Sequence, residues 1–190
     1  MATRSETAAG TRRSLLEAAG ALLDAGGPEA VTLREVGART GVSRSAPYRH
    51  FADKDALLTV LATNAVAQLG DVLEGLAHSD DPPERSLRAA LLSLISIGRT
   101  RPHLYRLMFR TPTGDPTAAV RAAERTWGLF IDIVGHVVGP EQAGRYGALL
   151  LTNAHGIASM ESSGHLVWDK WRTTADELID MVVSLLPTAP

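Results

Sequence analysis

The chain has 190 residues, of which 45% are hydrophobic, with a formal net charge of −2 and no cysteine. That apolar share is enough for a sizeable core, in one domain or in a small one joined to a larger. The near-neutral balance argues against a generally polyanion-coating protein, and the missing thiols exclude a disulfide framework, a thiolate nucleophile and a cysteine-based zinc site.

The first residues, MATRSETAAGTRRS, carry charge but no apolar core of a signal peptide. No uninterrupted apolar run approaches the roughly 18 residues of a membrane span, so the expectation is a soluble, cytoplasmic protein with no membrane partner. A first helix is predicted from about Ala8 to Ala25, with Leu15, Ala19, Leu22 and Leu23 as its apolar stripe and Gly26-Gly27-Pro28 as its stop. Thr32-Leu-Arg-Glu35 then has the form of a capping box, in which a hydroxyl and a carboxylate satisfy free N–H groups at a helix start. The helix that follows should turn Leu33, Val36 and Gly37 inward and end at Gly41, where a positive φ is available. Val42 reads as a small apolar plug and Ser43 as the N-cap of a second short helix, Arg44 to His50.

Two short helices around a glycine turn make a helix-turn-helix, whose second member can enter a DNA major groove. Arg44, Ser45, Tyr48, Arg49 and His50 suit phosphates and base edges better than an interior. Pro47 lacks an N–H, but in the first helical turn the loss is small. Phe51, Val31, Leu33, Val36 and Val42 are assigned to the core of this head. Charge agrees with the division: Met1 to Lys54 holds eight Arg or Lys against six Asp or Glu, and the remainder eleven against fifteen.

A long helix is expected from Asp53, its N-cap, to about Leu76, with Leu57, Leu58, Leu61, Ala65, Leu69, Val72 and Leu76 along one face. Ser79-Asp80-Asp81-Pro82-Pro83 breaks it. Further helices are predicted at about Glu84 to Arg99, Pro102 to Phe109, Pro116 to Val138, Pro140 to Ser162 and Ala175 to Leu186. The last opens on the capping box Thr174-Ala-Asp-Glu177. The longest loops should be Arg110 to Asp115 and Ser163 to Thr173. No strand-like alternation of convincing length occurs, so the fold class is all-α.

The first helix RRSLLEAAGALLDAGG followed by VTLREVGARTGVSRSAPYRHFADKDALL resembles the DNA-binding domain of the TetR family of bacterial regulators, over about residues 10 to 60. Tyr48-Arg49-His50-Phe51 and Lys54 carry the most specific part of that likeness. RPHLYRLMF, Trp127 and Asn153-Ala-His155-Gly156 further resemble the ligand-binding domain of a WHG-type TetR subgroup. The resemblance implies a DNA-binding head at 8–54, with its helix-turn-helix at about 32–51, and a helical ligand-binding and dimerisation domain at 55–187. It implies that Tyr48 and His50 meet the DNA backbone and Lys54 a phosphate, with Thr32, Arg34, Ser43, Ser45 and Pro47 beside them. Arg44 suits a bidentate contact to guanine.

Two heads on a two-fold axis, with half-sites roughly 34–36 Å apart, would read a near-palindromic operator. Leu149, Ala154, Ile157, Leu178, Met181, Val182 and Leu185 exceed what one small body needs to bury, so the last two helices are the expected homodimer interface. Tyr105, Met108, Trp127, Phe130 and His155 are candidates for a pocket taking a small, mostly apolar effector. Asp132 with His136 and Glu161 with His165 could each share a helix face, yet neither has a di-iron or zincin spacing. No metal, cofactor or catalytic site is expected. The reading is a ligand-responsive repressor; the rivals are a helical enzyme or a scaffold in which the helix-turn-helix is only architectural.

Overall fold

The computed structural model describes residues 4–113 and 116–187. Among these residues there are ten α-helices and no strand. They are α1 (Arg4–Ala30), α2 (Leu33–Thr40), α3 (Ala46–His50), α4 (Lys54–Ala77), α5 (Pro83–Thr100), α6 (Pro102–Met108), α7 (Thr117–Val138), α8 (Pro140–Ser162), α9 (Trp168–Trp171) and α10 (Ala175–Ser184). Residues 114 and 115, at the end of one predicted loop, lie outside the described residues. The other predicted loop contains the short helix α9, which the sequence reading missed.

The chain divides into two compact units: Met1–Asn64 with His103–Ala119, and Ala65–Pro102 with Val120–Pro190. In the first, α1, α2 and α3 pack on one another around buried Leu15, Ala19, Leu22, Leu23, Val31, Leu33, Val36 and Phe51. Val42, expected in this core, is only half-buried. The predicted stop in α1 is real as a kink: Gly27 takes φ 70° and ψ −172°, outside helical geometry, before a last turn through Pro28. The His103 ring of α6 fills the space beside Gly27, where a Cβ would lie 2.9 Å from its Cε1.

In the second unit α5, α8 and α10 pack together around Leu87, Leu91, Ile95, Leu150, Ala154 and Ile179. Thr126 of α7 is fully buried and donates its hydroxyl to the Val66 carbonyl of α4 at 2.9 Å. Beside it Arg125 reaches Asp71 at 2.8 Å and Glu74 at 2.7 Å. Arg99 of α5 joins Glu161 of α8 and Asp176 of α10, each at 3.0 Å, and these bonds hold its pKa above the ordinary value. Arg88 pairs with Asp180, whose carboxyl is thereby held below the usual range. Glu161 is thus engaged by arginine, and His165 lies instead against the Ser163 hydroxyl at 2.9 Å.

By length and mean hydropathy helix α4 could cross a membrane, although Thr59, Thr63, Asn64, Gln68 and Asp71 interrupt its apolar run. Its apolar residues have protein neighbours: Leu57, Leu58, Leu61, Ala65, Val66, Leu69 and Leu73 are all buried. The face drifts from the predicted one after Leu69, so that Leu73 is buried and Val72 is 48% exposed. Steps of four residues along the helix explain the slip.

Candidate nucleic-acid interface

Local chemistry places α2 and α3. The Thr32 hydroxyl accepts the Glu35 N–H at 3.1 Å, which leaves its own O–H free to donate outward. Only this half of the expected box forms, since the Glu35 carboxylate lies 3.9 Å from Arg39. Gly41 closes α2 in the left-handed region at φ 67°, its N–H bonded to the Ala38 carbonyl.

Helix α3 starts later than predicted. Ser45, not Ser43, is its N-cap residue, and no side chain caps it. The Ala46 N–H bonds to the Ser43 carbonyl in a turn, and the two serine hydroxyls lie 3.4 Å apart. Ser45 also accepts from Arg49 at 3.1 Å, which ties that guanidinium back to its own helix.

Burial divides the expected DNA residues. Thr32, Arg34, Ser43, Arg44, Ser45 and Tyr48 are exposed, with Tyr48 at 59%, while His50 and Lys54 are half-buried. Pro47, expected among them, faces inward. Its ring packs on α2, where a Cβ at Gly37 would stand 2.9 Å from Pro47 Cγ. Pro47 is therefore the spacer between the two helices, which sequence pattern alone did not reveal.

At the start of α4 the Asp53 carboxylate caps the Ala56 N–H at 2.7 Å, as predicted. One N–H of this helix start is thus already bonded to a carboxylate. The Lys54 ammonium, expected to meet a phosphate, lies 3.6 Å from Glu29. Sequence reading also missed Arg12 of α1, whose guanidinium carbon sits 5.2 Å from the centre of the Phe51 ring. Cation–ring spacing across such a sequence gap leaves no local pattern.

The residues expected to hold an effector are divided between the units. Tyr105 and Met108 belong to the first, Trp127, Phe130 and His155 to the second. Tyr105 and Phe130 are buried, Trp127 and Met108 half-buried, and His155 exposed on α8. Burial pushes the Tyr105 hydroxyl up to about 12. Of the expected interface residues, Leu149, Met181 and Leu185 are exposed at 51%, 58% and 81%. Leu178 and Val182 are half-buried. Ala154 and Ile157 instead point into the second unit's own core, at 0% and 9%. Helix α8 is apolar on more than one side, and the inner side takes these two.

The profile described as "Bacterial regulatory proteins, tetR family" matches residues 15–61, and the one described as "Tetracyclin repressor-like, C-terminal domain" matches residues 87–186. A protein of unknown function from Rhodococcus sp. RHA1 is 27% identical over 92% of each chain, with a TM-score of 0.77. A TetR-family transcriptional regulator from Streptomyces coelicolor is 22% identical over 94% of each chain, with a TM-score of 0.64. SmeT, solved as a triclosan complex, is 22% identical over 92% of this chain and 90% of its own, with a TM-score of 0.58. The last two are likenesses of fold. Since the C-terminal match alone spans more than half of the sequence and the helix-turn-helix match lies on the head built above, the chain belongs to the TetR family of bacterial transcriptional regulators.

Proposed function

We propose that the protein is a homodimeric repressor of a near-palindromic operator, released by a small, mostly apolar effector. One observation carries the DNA part. Pro47 and Phe51 are turned inward, while Arg44 and Tyr48 are exposed and His50 and Lys54 half-buried along α3 and the start of α4. Arg44 reads a base, and Thr32, Tyr48, His50 and Lys54 hold the backbone, with Arg34, Ser43 and Ser45 lining the approach. Membership of a family of regulators sets the enzyme and scaffold readings aside.

Leu149, Met181 and Leu185 support the dimer, because apolar side chains this exposed in one protomer are covered when α8 and α10 meet a second copy. Trp127 and Phe130 remain the pocket residues of this reading, and likeness of fold to SmeT, solved with triclosan, supports an apolar ligand. His155, also expected to line the pocket, is exposed on α8. An effector that favours the DNA-free form must itself be bound less tightly by the DNA complex, by the same factor.

A gel shift against duplex from upstream of the protein's own gene tests the core of this reading, with a retarded band expected that competing specific duplex removes. No retardation at micromolar protein would refute it. Sedimentation tests the rest: a dimer is expected at micromolar concentration, and a monomer for Leu185→Glu.

A further inference from the structure

Among the described residues, Arg12 is an exposed cation with no acidic partner. It is also held in place. Its guanidinium lies over the buried Phe51 ring, and the His50 ring lies 6.4 Å from that same ring on the chain next to it. A cation attracted to a ring keeps its N–H donors uncommitted to a carboxylate, and a guanidinium can fork those donors onto a phosphate. That attraction also removes in advance part of the rotamer freedom that a long arginine otherwise loses on binding.

We propose that Arg12 is a phosphate-gripping residue of the head, contacting the DNA backbone beside His50 and widening the footprint beyond α2, α3 and the start of α4. The inference rests on the DNA-binding reading above. Phe51 then has two functions, filling the core of the head and holding Arg12 beside it. Arg49, by contrast, spends a donor on Ser45, and Lys54 faces Glu29. Arg12 has neither competitor.

The test is binding of the full chain to a labelled duplex selected from a random pool, and to a scrambled duplex, across a salt series. Arg12→Leu keeps apolar cover on Phe51 without the charge, and Arg12→Gln is a second neutral variant should the first fold poorly. For either, affinity should fall about tenfold on both duplexes, and the slope of log K against log salt should drop by about one per head. Arg12→Lys should keep most of the slope and lose part of the affinity, because an ammonium cannot fork onto a phosphate. A lowered thermal midpoint with an unchanged salt slope would assign Arg12 a packing role only and overturn the proposal. If the wild-type chain bound neither duplex, the DNA reading itself would fall and this inference with it.

Discussion

Gly37→Ala tests whether Pro47 sets the spacing of the reading helix. A Cβ at position 37 would lie 2.9 Å from Pro47 Cγ and 3.5 Å from Cδ. Carbon–carbon contacts are comfortable at about 3.5–4.0 Å, so α3 must retreat from α2 by about 0.5–1 Å. The proline ring is tied into its own backbone and cannot swing aside as a flexible side-chain tip would. Overpacking of this kind costs about 1–3 kcal/mol. Alanine's better helix propensity offsets about 1 kcal/mol of that. The net loss of stability should therefore be between nil and about 2 kcal/mol. Operator affinity should fall further than stability, because the displaced helix carries Tyr48 and His50. Urea unfolding followed by circular dichroism, at one fixed protein concentration, measures the cost for Gly37→Ala, Pro47→Ala and the double variant. The double should be less damaged than the two single effects combined, with a coupling of about 1–2 kcal/mol. Additivity within about 0.5 kcal/mol would show that the two residues do not bear on each other, and the spacer argument would fail.

Glu29→Gln should strengthen binding to any duplex at low salt by about twofold to fivefold, since it frees Lys54 from a surface pair worth up to about 1 kcal/mol; unchanged affinity by fluorescence anisotropy would show that the pair does not compete with phosphate. Thr126→Val removes the hydroxyl bonded to the Val66 carbonyl and should cost about 1 kcal/mol in chemical denaturation. No loss would mean that the bond adds nothing beyond packing. Tyr105 is raised from 10.0 to about 12 by burial, so the folded chain keeps its proton where the unfolded chain loses it. The associated stability, about 3 kcal/mol, is fully present below pH 10 and is lost as pH rises from there toward 12. Tyr105→Phe should flatten that part of the stability profile relative to wild type, and identical slopes would place Tyr105 in water.

Features fixed by neighbours within a turn or so of chain were legible in the sequence. Thr32 accepting from Glu35, Gly41 closing α2, Asp53 starting α4 and the complete box of Thr174 with Glu177 all depend on residues three or four positions apart. The kink at Gly27 follows from the glycine pair and Pro28. The family likeness was legible for a related reason, because its marker residues lie in one unbroken stretch around Tyr48 to Lys54.

What needed the tertiary structure was the identity of partners across the fold. Pro47 looked like a tolerated oddity of α3 until Gly37 was seen beneath it. Arg12 and Phe51 meet only because α1 passes the end of α3. His103–Ala119 joins the first unit although nearly forty residues of the second unit separate it in sequence from Asn64. On α8 periodicity announced an apolar helix, but only packing decided that Ala154 and Ile157 turn inward while Leu149 stays outside. Helical period and capping are short-range properties of one segment, whereas burial is a property of two surfaces in contact, and the chain's local chemistry names only one of them.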